Sequence, residues 1–357
     1  MPTALKNVNA LPVPTWRRLG VNGAELIVEL PEPGPRPRSN PSLPAGTLRA
    51  HESVLRCAEF RSALSPELAA YIRVHANCGA RFRVKRGESV AEPVTARHTL
   101  TADAPAVVDN NVVYAEAHSR ATLVLVYDSA DDTACFHAGL TRVIAENCAE
   151  ISVVEVQTLN AATPHFTDFS AVVANGAKVS LTRVLLGGAD VYAGTHFKLE
   201  GGKSESNAEV FYLGDGERKL DFSYIAKHLG QHTSSALNSA GALFGSADKI
   251  MRGTIDFARG SSGSVGGECE NTLILSDGAR NRSAPLILCG EESVEGTHAA
   301  SCGSPDAAKL YYLMSRGLSE REAKTLLVAG LLEPSLKNVP DEKTRAFLRE
   351  YLTARIK

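Results

Sequence analysis

The sequence has little of several things that identify common classes of protein. Aromatic residues make up 6% of its 357 residues, too few to build a stacking surface for single-stranded nucleic acid. Its 38 basic residues are balanced by 40 acidic ones, so the net charge of −2 offers no concentrated positive field for a phosphate backbone. No run of about 18 apolar residues occurs, and no basic segment followed by an apolar one opens the chain. We therefore expect no nucleic-acid partner, no membrane span and a cytoplasmic location.

Short motifs that carry common chemistries are also missing. The seven cysteines are scattered without CxxC spacing, which argues against a disulfide framework and a structural zinc site and favours reduced thiols. No phosphate-binding loop, GxSxG elbow or HExxH sequence occurs. A nucleotide site or a hydrolase active site is therefore not expected.

What is present is a long β-rich stretch, from about residue 80 to residue 300, punctuated by small residues. Most of its apolar strand patterns begin just after small-residue turns that are 27 to 31 residues apart, for example Asn175-Gly176. The patterns are Ala121–Tyr127, Ile151–Val156, Ala177–Leu186, Ala208–Leu213, Ser235–Phe244 and Asn271–Leu275. A period of this length without helix signals favours stacked solenoid coils, although an antiparallel barrel or sandwich would give similar strands and turns.

The regions on either side of the solenoid carry helix signals. Residues 1–78 are expected to form a small, partly helical unit, residues 79–302 the solenoid, and residues 303–357 a helical domain. Ser65-Pro66 resembles an N-cap followed by a first-turn proline, opening a helix to about Val74.

Three helices are predicted after the solenoid. The first begins at an N-cap Ser304 and ends before Gly317. The second has a capping box between Ser319 and Glu322 and stops at Pro334. The third spans about residues 341–356. The helices would either cap the open end of the solenoid, which the sequence favours, or dock a partner.

Three stretches resemble the SufB/SufD family, the scaffold proteins of Suf iron–sulfur cluster assembly. They are Leu11–Trp16, then Asn271–Ser276 with Pro285-Leu286, and finally Val294–Ala300 followed by Leu310–Ser319. The last is similar to the family pattern V-x-C-S-H-G-A-T … L-F-Y-L-x-S-R-G-I-S. The spaced combination is specific, whereas each piece alone would not be.

The resemblance implies a right-handed parallel β-helix between helical units, which agrees with the solenoid read from the turns. It implies a non-catalytic scaffold that binds a SufC-type ABC ATPase through its C-terminal helices. It also implies a dimer through the β-helix, with a SufB-type paralogue or with itself, near a transient iron–sulfur cluster.

Two residues fall on the family's cluster-site positions. His298 matches the SufD interface histidine, and Cys269 lies about where SufB has its essential cysteine. Thiolate and imidazole are ordinary donors to iron in such clusters, and an exposed thiolate could also accept sulfur. We expect Cys269 to be accessible and both residues to lie near the dimer-forming end. Two departures, Gly296 and Ala299, make the end of the chain SufD-like.

The docking face for the ATPase is expected to include Tyr311, Arg316 and Glu320, since Arg and Tyr are common interface anchors. Some of the leucines in these helices are expected to pack on the β-helix end, from the set Leu310, Leu313, Leu326, Leu327 and Leu331. The alternative function is a cytoplasmic β-helix lyase or glycosidase, which would need paired carboxylates along a groove.

Overall fold

The computed structural model describes residues 2–15, 17–32, 34 and 43–356, and also omits the side chain of Cys57. Trp16 of the N-terminal motif therefore lies outside the described residues. The fold is a parallel β-solenoid, as predicted, with helices near both termini. No helix in the described ranges is both long and apolar enough to cross a lipid bilayer.

Two sheets face each other across the solenoid, and each coil contributes one strand to each sheet. The eight-stranded sheet contains β5 (Val94–Leu100), β7 (Arg120–Ser129), β9 (Glu150–Thr158), β11 (Lys178–Leu185), β13 (Glu205–Gly214), β15 (Ser234–Leu243), β17 (Ser264–Ile274) and β19 (Val294–Gly303). The nine-stranded sheet contains β3 (Thr47–Arg49), β4 (Arg81–Val84), β6 (Ala106–Ala115), β8 (Phe136–Ala145), β10 (His165–Val173), β12 (Val191–Leu199), β14 (Lys219–His228), β16 (Asp248–Phe257) and β18 (Arg280–Cys289). All their pairings are parallel except β3 with β4.

The predicted period is the length of one coil. At one corner of each coil the chain turns through a residue with positive φ, in the order His118, Cys148, Gly176, Lys203 and His232. The amide of each turn donates to a carbonyl in the turn of the next coil, for example Cys148 N to Asn175 O at 2.9 Å. Small or polar residues recur here because few side chains tolerate this left-handed conformation.

All six strand patterns read from the sequence belong to the eight-stranded sheet. The sequence patterns missed the strands of the other sheet because most of those strands are buried on both faces. Strand β10, for example, is buried along its whole length. A strand covered on both faces has no polar–apolar alternation to detect.

The N-terminal unit covers the outer face of the nine-stranded sheet. A hairpin of β1 (Pro2–Val8) and β2 (Ala24–Glu29) and helix α1 (Pro66–His75) contribute its apolar contacts, and 3-10 turns lie at Arg17–Leu19 and Glu52–Cys57. The predicted cap of α1 is present, since Ser65 Oγ accepts a hydrogen bond from Leu68 N at 3.3 Å.

The C-terminal helices α2 (Ala307–Ser315), α3 (Glu320–Leu336) and α4 (Glu342–Arg355) correct three expectations. The N-cap of α2 is Asp306 rather than Ser304, and α3 continues through Pro334, which falls in its final turn. The helices do not cap the open end of the solenoid. Instead, α3 and α4 lie across the outer face of the eight-stranded sheet, where Leu332, Leu348 and Leu352 are buried.

The apolar surface that α3 uses also differs from the prediction. Its core-facing residues include Val328 and Leu332, whereas Leu326 is exposed. The sheet supplies the complementary surface through an outward apolar row that includes Val154, Val184 and Phe211. Burying each such leucine stabilises the contact by about 1.5–3 kcal/mol.

Candidate functional site

The last coil forms an open end of the solenoid. Strand β19 pairs with β17 on one side only and is the edge of its sheet, as β18 is of the other. Nearly every residue of β19 is exposed. An edge strand of ten residues leaves backbone donors and acceptors available for pairing with another chain.

Cys269 and His298 lie at this end on neighbouring strands, but on opposite faces of the sheet. Cys269 is opposite Ala299 in the β17–β19 register, and His298 is opposite Glu268. Because side chains alternate along a strand, the exposed Cys269 lies on the outer face, while His298 shares the inward face of Glu268. The two residues therefore do not converge on one iron atom within a single chain.

His298 contacts a carboxyl group that the sequence reading missed. Its Nδ1 lies 3.4 Å from Oε2 of Glu268, and its side chain keeps 25% of its accessible surface. Glu268 itself is buried, and its Oε1 has no hydrogen-bond partner. Burial, assisted by the nearby Glu270, raises the pKa of Glu268 to about 8. The group facing His298 at neutral pH is thus mainly a carboxylic acid.

A glycine in the opposite sheet makes room for this side chain. A Cβ atom at Gly253 would overlap Oε1 of Glu268. Any larger residue at position 253 would displace the carboxyl group from its place beside His298.

Glu270, the next inward-facing residue of β17 after Glu268, holds a second buried ionisable group, Lys249. The ammonium of Lys249 pairs with its carboxylate, which also accepts hydrogen bonds from Ser283 and Asn281. Burial alone would raise the pKa of Glu270, but Lys249 and these donors hold it below its usual value. The sequence Glu268-Cys269-Glu270 could have indicated this pair of carboxyl groups, because two acidic residues at alternate positions of a strand share a face.

Cys302 occupies the same inward row of β19 as His298. It is exposed and lies opposite Thr272 in the register. It lies four positions along the strand from His298, or about 13 Å, too far for both to bind one iron atom. The described residues contain no group of three or more side chains able to hold a metal ion.

The predicted docking residues lie on the most exposed C-terminal elements. Helix α2 has no buried residue, and Tyr311 is 75% exposed. The guanidinium of Arg316 lies over the ring of Tyr312, 5.2 Å from its centroid. Glu320 forms an ion pair with Lys324 at 2.6 Å within α3. Helix α2 and the start of α3 therefore present both charge and aromatic surface.

Comparison with known proteins adds independent information. Residues 98–331 match the family model described as "SUF system FeS cluster assembly, SufBD core domain". The iron–sulfur cluster assembly protein SufD of Bacillus subtilis is 27% identical over 284 residues, covering 79% of this chain and 65% of that protein. A SufBD family protein of Mycobacterium tuberculosis is 26% identical over 288 residues, covering 78% of this chain and 70% of the relative.

A SufBD family protein of Mycobacterium leprae is 31% identical over 133 residues, which is 37% of this chain and 15% of that protein. The chain thus spans less than two thirds of the length of the Bacillus subtilis and Mycobacterium leprae relatives.

Proposed function

The chain belongs to the SufBD family of iron–sulfur cluster assembly proteins, and from that premise we propose that it is a scaffold subunit of a Suf-type assembly complex. It pairs through the open end of its solenoid with a SufB-type paralogue or a second copy of itself. It docks a SufC-type ATPase on its C-terminal helices, and ATP hydrolysis takes place on that partner. The complex works in the cytoplasm.

The observation that carries the proposal is the uncovered last coil. Monomeric β-proteins protect long edge strands with charged residues, proline, bulges or a covering element. Val294–Gly303 is ten residues long with a single acidic residue, Glu295, and neither lysine nor proline. A partner strand added here would continue the solenoid across the subunit boundary.

The residues of this end suit a transient cluster as cargo. His298 supplies an imidazole and Cys269 an exposed thiol, on opposite faces of the sheet. Each residue would therefore bind a cluster together with donors from the partner chain, and not together with the other. Few ligands per chain are an advantage when the cluster must be released. The family assignment favours this function over the carbohydrate-active alternative.

The test is co-expression with candidate SufB and SufC chains, followed by anaerobic purification and analysis of iron and sulfide. His298→Ala is expected to lower the iron and sulfide content severalfold while the subunits still co-purify. Cys269→Ser should do so only when this chain replaces SufB, as in a homodimer.

The matched control is His118→Asn, at an exposed turn where asparagine tolerates the positive φ of 61°. Full iron and sulfide content in the His298→Ala complex would remove His298 from the site and leave only the scaffold role.

A further inference from the structure

A pocket of about 450 Å³ lies between the N-terminal unit and the outer face of the nine-stranded sheet. Helix α1 and the segment before it form one side through Arg61, Leu64 and Arg73. Strands β8 and β10 form the other side through Arg142 and Ser170. This volume is within the range of small-molecule sites. The pocket is separate from the open end, whose residues it does not include.

Positive charge predominates in the lining. Three arginines, Arg61, Arg73 and Arg142, accompany one carboxylic residue, Asp168. Oδ1 of Asp168 accepts a hydrogen bond from Ala63 N at 3.2 Å, whereas its buried Oδ2 has no partner. Arg61 and Arg73 are exposed, and no carboxylate among the described residues forms an ion pair with either. Two guanidinium groups therefore remain available for an incoming anion.

Two buried donors in the sheet wall have no partner. Arg142 and Ser170 are opposite each other in the β8–β10 register, so their side chains leave the sheet on the same face. Arg142 is 6% exposed and Ser170 2% exposed. Arg142 uses Nη2 to bind Glu52 and Asn110, but its Nε–H has no acceptor, and neither does the Ser170 hydroxyl.

Unpaired buried donors are rare because each loses its hydrogen bond to water without replacement. Two of them side by side in a pocket wall match the oxygen atoms of an oxyanion, which accepts several hydrogen bonds at once.

The rest of the lining is mainly apolar, with Asn7 and Ser62 as its polar members. Its larger apolar side chains are those of Phe60, Leu64, Leu140 and Ile225. A bare inorganic ion would leave this surface without contacts, whereas an organic ligand would cover it.

We propose that this pocket binds a small organic oxyanion, a phosphate ester or a carboxylate with an apolar body. The anionic group is held by Arg61, Arg73, the Arg142 Nε–H and the Ser170 hydroxyl. The apolar body lies against Phe60 and Leu140. The site is independent of the proposed cluster and ATPase functions, and it would connect the protein to a small metabolite or cofactor.

The experiment is titration calorimetry of the full chain with phenyl phosphate, benzoate, inorganic phosphate and benzyl alcohol. Saturable binding of phenyl phosphate or benzoate, weaker in high salt, is expected, and the tighter of the two identifies the oxyanion. Arg61→Gln combined with Arg73→Gln should weaken that binding at least about tenfold, since two charge-assisted contacts are lost. Arg259→Gln, in the exposed turn after β16, should leave it unchanged.

Ser170→Ala separates ligand binding from folding. It removes a buried hydroxyl that lacks a partner, so it should maintain or raise the melting temperature while weakening binding by about fivefold or more. The proposal is overturned if neither aromatic anion binds, if binding survives the double arginine substitution, or if inorganic phosphate or benzyl alcohol binds as tightly as the best aromatic anion.

Discussion

At the scale of single residues, the open end depends on how one strand divides its side chains. Glu268 and Glu270 both point inward from β17, yet burial and charge move their pKa values in opposite directions. Glu270 has a buried lysine as its partner, whereas Glu268 faces only the Nδ1 atom of His298. One carboxyl therefore stays ionised at neutral pH, and the other is mainly protonated. His298 is thus placed beside a neutral acid rather than a carboxylate.

The raised pKa of Glu268 predicts a stability that falls as pH rises. Between its unfolded value of 4.5 and its folded value of about 8, the unfolded chain releases this proton while the folded chain keeps it. The contribution is fully present below the lower value and is lost on passing the upper one, at up to about 1.4 kcal/mol per pH unit. Glu268→Gln should remove this dependence, so the free energy of unfolding of the variant should rise relative to that of the native chain as pH increases. Urea unfolding from about pH 5 to about pH 9 measures it.

The control for this measurement is Glu292→Gln, an exposed carboxyl in the turn before β19. Its unfolding free energy should follow that of the native chain at every pH. Parallel curves for the native chain and Glu268→Gln would show that Glu268 titrates as an ordinary glutamate.

At the scale of elements, the C-terminal helices divide into a packed pair, α3 and α4, and an exposed helix, α2. Leu348 and Leu352 of α4 and Val328 and Leu332 of α3 are buried against the sheet. Helix α2 packs on α3 and buries none of its residues. An element held so lightly, with Tyr311 and Tyr312 exposed, is typical of a surface that another chain covers.

Charge reversal should therefore weaken ATPase docking without unfolding the chain. Arg316→Glu combined with Glu320→Lys changes two exposed side chains at the junction of α2 and α3. We expect at least about tenfold weaker binding of a SufC-type ATPase by titration calorimetry, because interface arginines contribute disproportionately to affinity. The melting temperature should change by no more than a few degrees.

Helix α4 offers the matched comparison. Lys343→Glu with Glu350→Lys also reverses two exposed charges and places each charge favourably along the helix. This variant should bind the ATPase normally. If both double variants bind equally well, the docking surface lies elsewhere.

At the scale of the whole molecule, the solenoid has two covered sides and one open end. The N-terminal unit and the C-terminal helices cover the outer faces of the two sheets. The interior is closed by the coils themselves. The last coil is left exposed along β19. Assembly by extension of the solenoid is the arrangement that would cover it.

Blocking this edge should prevent pairing. Thr297→Lys with Ala299→Lys adds two charges along β19, the device by which natural edge strands avoid association. Size-exclusion chromatography with light scattering should show loss of the dimer, or of the complex with a SufB-type chain, at concentrations where the native chain assembles.

Val265→Lys tests whether position on the edge matters. Val265 is 45% exposed on β17, one strand in from the edge, and its substitution should leave assembly intact. Native-size complexes from the Thr297→Lys, Ala299→Lys variant would mean that the subunits pair through another surface.

Local signals in the sequence determined the repeating part of this protein. The turns need residues that accept positive φ, and they recur once per coil, so their spacing predicts the solenoid. The capping box of Ser319 and Glu322 likewise depends on neighbours three residues apart, and it is present as predicted. The motif resemblance singled out Cys269 and His298, and the structure places them on adjacent strands at the open end.

Contacts between distant segments decided the rest. The inward position of His298 depends on its register with Glu268, thirty residues earlier, and no local pattern specifies that pairing. Leu326 is exposed and Leu332 buried because α3 lies across the side of the sheet rather than on its end. Pro334 stays helical because in the final turn it removes one backbone hydrogen bond in an element already held by packing. The anion pocket likewise exists only where α1 meets strands more than sixty residues away, since a turn or a cap is fixed by its neighbours and a site by the packing of whole elements.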